Sequence, residues 1–279
     1  MDRSILNHFF PEDQFVIEYN DYLVKIKTKG EPEDKDCVWL RVQHKDLHIH
    51  QLWRCGIAGN DTLKKIEEIA RLVGCTKISL YDLSRITICG DTFDMAVLKI
   101  LTRGESWYNS LGYKSENYDS EKNNNEVVIK KTLNETFSDP RLDWKHKAFT
   151  KPRIIRLLKR DDLTEEDLEN HSLQSISNML LKLASDCENE ENEENEEARL
   201  VLAKLIDCFY DNSIIKYNKT LIKTIDAPLH TSEKQTAITT SAPKALKTSR
   251  IVTKRGGRKR TNIRKTRLKR KTLRKTSSK

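Results

Sequence analysis

The stretch that decides the fold is residues 47–81, LHIHQLWRCGIAGNDTLKKIEEIARLVGCTKISLY. It begins with alternating apolar residues and ends with the apolar run 77–81, and both patterns are typical of β-strands. Between them lies a loop of small residues, followed by a helix that Asn60 or Asp61 can cap and Gly74 can end. The stretch therefore predicts a strand, a loop, a helix and a second strand.

Before this stretch, apolar and polar residues alternate over 14–52, with turn-forming residues between the alternating runs. This pattern predicts four short antiparallel strands. Downstream, apolar spacing predicts a helix over 92–102. Ser106 is expected to cap a short helical turn that carries Trp107 and Tyr108.

The second half of the chain is expected to be largely helical. Residues 115–125 are predicted to form a polar loop and 127–129 a closing strand. Leu, Ile and other apolar residues recur at three- and four-residue spacing over 173–183 and again over 198–209, which predicts two helices packed as a hairpin. A third helix is predicted over 213–225.

An acidic segment joins the two helices of this hairpin. Residues 186–197 contain eight Asp or Glu and no Lys or Arg. Such a segment is expected to be a solvated loop. A second hypothesis is that it folds back on the basic end of the chain when no nucleic acid is bound.

These patterns predict an α/β (α+β) protein in three parts. Residues 1–135 form a domain with a mixed, mostly antiparallel sheet and flanking helices. Residues 140–225 form a small helical segment that contains the acidic loop 186–197. Residues 227–279 form a disordered basic tail, because they hold too few large apolar residues to offset the entropy of ordering.

Charge is strongly segregated along the chain. Residues 244–279 contain 17 Lys or Arg and no Asp or Glu, so the remaining 34 basic and 42 acidic residues leave the rest with a net charge of −8. We call residues 244–279 the basic arm. A nuclear import signal or a solubility tail needs fewer charges, so the arm is expected to bind nucleic acid or another polyanion without sequence preference. Its expected phosphate contacts are Lys254, Arg255, Arg258, Lys259, Arg260, Arg264, Lys265, Arg267, Lys269, Arg270, Lys271, Arg274 and Lys275.

Cysteine usage and hydropathy indicate an intracellular protein that does not associate with membranes. No two of the six cysteines form a C-x-x-C pair, so reduced thiols are expected. No stretch approaches the roughly 20 apolar residues of a membrane helix, and the start of the chain has no secretory signal. His44, His48 and His50 suggest a zinc site, since His48 and His50 share a strand face, but no cysteine pair completes a tetrahedral set, so no metal is expected.

Two segments resemble the GNAT acetyltransferase superfamily, over about residues 14–130. The loop Gly56-x-Ala58, with the helix after it and the strand 77–81, is similar to the coenzyme A core of that family. The segment Gly104–Tyr113 resembles the family's later helix, whose pattern ends in Tyr, three residues, Gly and an aromatic. Combined with a Gly-Gly-Arg-Lys-Arg tail, this segment is also similar to proteins of large nucleocytoplasmic DNA viruses.

The resemblance implies a GNAT-like fold with acetyl-CoA as the cofactor. Tyr108 would protonate the departing thiolate, and His48, His50 or Asp46 would accept the proton of the attacking amine. The pyrophosphate would lie against the loop and the first turn of the helix, at Gly56, Ala58, Gly59 and Asn60.

Two departures from the family pattern bear on activity. Trp53 stands where the family has Gln or Arg, and the connection from Leu80 to Tyr108 is longer than usual. They favour a GNAT-fold protein that is degenerate or weak as an acetyltransferase and binds nucleic acid through its arm, in a virion, virus factory, host cytoplasm or nucleus. The alternative is an active N-acetyltransferase, which the retained Tyr108-x-x-x-Gly112-Tyr113 pattern favours. The same residues also have purely structural interpretations. Tyr108 could be a packed aromatic side chain, and the glycine loop could be a simple turn between strand and helix.

Overall fold

The computed structural model of the protein describes residues 1–20, 22–30, 36–53, 56–142, 150–159, 163–187 and 192–226. The basic arm and the rest of the predicted tail 227–279 lie outside the described residues. So do Arg54 and Cys55 of the glycine loop and residues 188–191 of the acidic segment.

Alternation of apolar and polar residues builds the predicted four-strand meander, which the structure confirms. Each strand pairs antiparallel with the next one along the chain. The four are β1 (Phe15–Asn20), β2 (Leu23–Thr28), β3 (Asp36–Gln43) and β4 (Asp46–Leu52).

The strand–loop–helix–strand unit follows the meander as predicted. Helix α2 (Gly59–Leu72) connects β4 to β5 (Lys77–Tyr81), and these two strands are parallel. A later strand, β8 (Thr220–Thr224), pairs antiparallel with β5 and completes a six-stranded sheet in the order β1-β2-β3-β4-β5-β8. The described fold is thus mixed α/β with a mostly antiparallel sheet.

Helices cover one face of this sheet, which we call the core face. Leu47, Ile49, Ile78 and Leu80 point to it and are nearly inaccessible to solvent. They pack in one apolar cluster with residues of α1 (Arg3–Phe9), of α2, and of the turn that contains α4 (Trp107–Ser110).

The opposite face, which we call the open face, receives the alternate residues of the same strands. It carries mainly polar and aromatic side chains, among them Tyr81, which is 56% exposed, and one exposed aliphatic residue, Ile222, at 41%. The two faces therefore offer different chemistry on the two sides of one sheet.

A second apolar cluster is built by the segment that lies between β5 and β8. This segment begins with a hairpin of β6 (Arg85–Ile88) and β7 (Asp91–Asp94), which is followed by α3 (Met95–Arg103). The helices that follow α4 complete it: α5 (Tyr118–Lys130), α6 (Leu133–Phe137), α7 (Lys151–Leu158), α8 (Glu165–Asn170), α9 (Leu173–Ala184) and α10 (Glu193–Asp211). Helices α9 and α10 pack against each other.

Three local predictions are wrong. Residues 118–125 of the expected loop and the whole expected strand 127–129 belong to α5, because Val128 and Ile129 pack in the second cluster and Asn125 is buried as well. The expected helix over 213–225 does not form. Thr220–Thr224 are strand β8 instead, in which Leu221 points into the core face while its neighbours do not.

The acidic segment is also more ordered than expected, since Glu193–Glu197 form the start of α10. Glu193, Glu194 and Glu196 lie in its first turn, where carboxylates interact favourably with the helix dipole. Glu197 accepts hydrogen bonds from Arg153 and Arg156 of α7. This part of the acidic segment therefore has a structural role in the helical cluster.

The expectation of reduced thiols is wrong for three cysteines. Cys89, in the β6–β7 turn, forms a disulfide with Cys187, with a Cα–Cα distance of 5.3 Å across 98 residues of sequence. Cys37 is also disulfide-bonded. The spacing of the cysteines in the sequence could not predict this bond, because only folding brings the β6–β7 turn to the end of α9. Disulfides of this kind form in oxidising surroundings.

Candidate functional site

The first group of candidate residues lies where the parallel strands β4 and β5 end. Gly56 has a φ of +70°, a backbone conformation that favours glycine. Ala58 stands at the N-cap of α2, and Gly59 and Asn60 open the helix. No side chain caps this end of the helix, and the amides of Asp61 and Thr62 donate to the Ala58 carbonyl.

Trp107 of α4 packs directly on the first residue of α2. A Cβ atom added at Gly59 would lie 3.0 Å from Cη2 and 3.2 Å from Cζ2 of the Trp107 ring. The indole therefore occupies the space beside the helix N-terminus, and the absence of a side chain at Gly59 is what lets the two elements approach.

Gly59→Ala is expected to destabilise the protein by about 1–3 kcal/mol, because the added methyl group overlaps the indole ring. Chemical denaturation of the variant measures the change. Replacing Trp107 with Leu in the same chain removes the overlap, so a double-mutant cycle should show favourable coupling between the two substitutions. Additive effects would mean that the ring does not fix the spacing.

Tyr108 lies on the core face and is only 7% exposed. Its ring centroid is 4.7 Å from that of Trp107 and 5.9 Å from that of Tyr113. Burial raises the pKa of Tyr108 well above its usual value, and the nearby charge of Asp82 adds to the effect. The phenol therefore stays protonated at physiological pH, inside an aromatic cluster.

His48, His50 and Asp46 lie together on the open face. The Nδ1 atom of His48 is 2.9 Å from Oγ of Ser79, and that hydroxyl donates to Oδ1 of Asp46 at 3.0 Å. The two imidazole centroids are 4.4 Å apart. Burial lowers the pKa of both histidines, so both are expected to be neutral at physiological pH.

The sheet separates the two groups of predicted catalytic residues. Leu47 and Ile49, the strand neighbours of His48, share the core-face cluster with Tyr108. Because successive side chains of a strand point to opposite faces, His48 and Tyr108 lie on opposite sides of the sheet. The structure brings Tyr108 together with Gly59 through Trp107, and it does not bring either histidine to them.

Asp82 is a site residue that the sequence analysis missed. It follows β5 directly and is 2% exposed. Its carboxylate accepts a hydrogen bond from the Ser84 amide at 2.8 Å and another from the Tyr217 hydroxyl. Burial raises the pKa of Tyr217, and the Asp82 charge adds to it. Its position at the carboxyl end of a parallel strand, where ligands of α/β sheets bind, was the available signal.

A polar cleft lies away from both groups, between α5 and the segment before β8. Its volume is about 730 Å³. It is lined mainly by amide, hydroxyl and charged side chains, among them Asn117, Glu121, Asn124 and Lys216. None of the predicted catalytic or cofactor residues lines it.

Metal and membrane sites are not indicated by the part of the chain that the structure describes. Within it, no three His, Cys, Asp or Glu residues cluster as metal ligands would. Likewise, no helix of the described ranges is both long and apolar enough to cross a bilayer. The arm residues Lys254 to Lys275 that were predicted to contact phosphate lie outside those ranges.

Comparison with known proteins adds no relative. No family model, no curated protein and no solved structure matches the chain. The geometry and charge of the chain itself therefore carry the functional argument.

Proposed function

We propose that this chain is a GNAT-fold protein that has lost most or all acetyltransferase activity and binds nucleic acid non-specifically through its basic arm. The order of elements supports the fold: an antiparallel meander leads into the parallel pair β4 and β5, which α2 connects. The turn with Tyr108 packs in the same apolar cluster as α2, which also supports this proposal.

The observation that carries the loss of catalysis is the placement of the acid and the bases. Amine acetylation needs a base for the amine and a proton donor for the thiolate around one bound substrate. Tyr108 is buried on the core face, and His48, His50 and Asp46 are on the open face. One substrate cannot contact both groups, because the sheet lies between them.

Charge segregation supports the nucleic-acid role. The arm contributes 17 positive charges and no negative one, while the rest of the chain has a net charge of −8. Counterion release from a phosphate backbone drives this kind of binding, and it does not depend on base sequence. The resemblance to proteins of large DNA viruses favours a role in the virion or the virus factory.

The alternative function, an active acetyl-CoA-dependent N-acetyltransferase, is favoured by one feature. Helix α2 has 14 residues and no side-chain cap at its N-terminus, the end of a helix that attracts anions. In that case Asp82, which shares the core side with Tyr108, replaces the histidines as the candidate base.

A thermal-shift measurement separates the two functions. We expect acetyl-CoA at millimolar concentration to leave the melting temperature unchanged, because Trp107 occupies the space beside the α2 N-terminus. A cofactor bound at 100 times its dissociation constant would instead stabilise the fold by about 2.7 kcal/mol. Such a shift, absent with ATP as a control anion, would show a cofactor site and favour the enzyme, which transfer of a labelled acetyl group to an amine would then test.

The nucleic-acid half of the proposal is tested separately. Fluorescence anisotropy with labelled DNA and RNA should show binding by the full chain at low ionic strength. Indifference to both polymers under those conditions would refute it.

A further inference from the structure

The open face of the sheet has a composition unlike that of the rest of the folded chain. Among the described side chains that point to it, Lys25, Lys27, Arg41 and Lys77 are cations, and three are carboxylates: Glu18, Asp36 and Asp46. On these strands the cations outnumber the carboxylates by one, whereas the chain outside the arm has more carboxylates than cations. An anionic polymer is therefore repelled less from this face than from the folded surface as a whole.

Aromatic and imidazole rings lie on adjacent strands of this face. Trp39 is on β3, His50 on β4 and Tyr81 on β5. Ile49 pairs with Leu80, so His50 and Tyr81 are the next residues on two neighbouring strands. Tyr81 is 56% exposed and His50 is also exposed. His50 and Tyr81 are therefore exposed rings on neighbouring strands, and Trp39, which pairs with Gln51, lies on the next strand.

Two cations of the open face lie near aromatic rings. The Lys25 ammonium lies 4.3 Å from the centroid of the Trp39 ring, and Trp39 is held in place by its Nε1–H, which donates to Oδ2 of Asp36 at 2.6 Å. Arg41 lies next to His48 across the strand pair, and no carboxylate of the described ranges forms an ion pair with it. Its guanidinium, 6.0 Å from the centroid of the Tyr22 ring, is available to a phosphate.

A sheet face with exposed rings and flanking cations suits unpaired nucleotides. Every base has a π-face that can stack on an aromatic side chain, whereas the bases of a duplex are already stacked on each other. The phosphates of a strand that crosses the face would meet the cations beside the rings.

We propose that the open face binds single-stranded nucleic acid, with His50 and Tyr81 stacking on bases and Arg41 contacting a phosphate. Lys25 and Lys77 are already paired with Asp36 at 3.7 Å and with Asp46 at 3.3 Å, so Arg41 is the cation that this inference relies on. This inference rests on the nucleic-acid role proposed for the arm, and it narrows the partner to strands with unpaired bases. The arm supplies most of the electrostatic affinity, and the sheet supplies the preference for a single strand.

The test uses the full chain with labelled oligothymidylate and with a duplex of the same length. At about 0.5 M salt, where phosphate contacts are strongly weakened, the full chain should still bind the single strand and not the duplex. Tyr81→Ala should weaken single-strand binding about tenfold, the loss expected for one stacked base. Arg41→Gln should weaken it as well, and neither change should alter duplex binding at low salt.

Matched controls come from exposed residues away from the open face. Tyr210→Ala removes a tyrosine of α10 that is 38% exposed, and Lys64→Gln removes a cation of α2 whose side chain is 77% exposed. Neither should change binding of the single strand.

Three outcomes would overturn the inference. One is equal affinity of the full chain for single and double strands at high salt. Another is equal binding of oligothymidylate by the Tyr81→Ala variant and the unaltered chain. The third is a concentration-dependent dimer that Tyr81→Ala dissociates, because it would show that a second copy covers the face. Duplex binding by a variant that lacks the arm would contradict the proposed function. It would not affect this test, which compares single and double strands on the full chain.

Discussion

Deleting residues 244–279 is expected to abolish the binding of double-stranded DNA at physiological salt. The deletion removes 17 cations and leaves a chain with a net charge of −8, which the phosphate backbone repels. If about 8 of the 17 contact phosphates in the full chain, log K falls with log salt at a slope near −7. Gel shifts in rising salt measure both the slope and its loss on truncation.

The control separates charge from sequence. A chain whose arm has the same composition in scrambled order should bind duplex with the same salt slope, because counterion release depends on the number of contacts. A chain in which half of the arm's Lys and Arg are replaced by Gln should show about half the slope. Full affinity after deletion would place duplex binding on the folded part and refute the role of the arm.

Periodicity was sufficient to predict the sheet up to β5. In β4, Leu47 and Ile49 alternate with His48 and His50, and this alternation fixes both the strand and its two faces. In α2, the stripe of Leu63, Ile66 and Ala70 with Gly74 after it fixes the helix. These signals are local, so a short window of sequence contains them.

The last strand could not be predicted in the same way. Strand β8 has five residues, of which only Leu221 is buried, and its partner β5 lies about 140 positions earlier in the chain. The spacing of apolar residues over 213–225 resembles that of a helix. The segment forms a strand because it pairs with β5, which a short window of sequence does not contain. The same holds for Cys89 and Cys187, whose proximity depends on the packing of the segment between them.

The candidate site was only half predictable. The loop and the helix N-terminus were found because their residues are contiguous, from Gly56 to Asn60. The sequence put Tyr108 and His50 in one site through resemblance, and strand alternation puts them on opposite faces. Asp82 was missed because its role depends on Tyr217, 135 residues away.

Removing the Cys89–Cys187 disulfide is expected to lower the free energy of unfolding by about 2–4 kcal/mol. The bond closes a loop of 98 residues, which spans α3 to α9 and most of the second apolar cluster. Without it the unfolded chain gains the entropy of that loop, while the folded contacts remain. For a chain of this size, Cys89→Ser with Cys187→Ser should lower the melting temperature by about 5–15 °C.

Variants test this bond more cleanly than a reductant does, because reduction would also open the disulfide of Cys37. Cys208→Ser, which changes a half-buried cysteine outside this disulfide, is the matched control and should cost less than the double variant. Peptide mapping of the unfolded, unreduced chain should find Cys75 alkylated and Cys89 joined to Cys187. Alkylation of Cys89 in that state, together with a melting temperature that the double variant leaves unchanged, would show that the packing of α9 and α10 alone holds the β6–β7 turn in place.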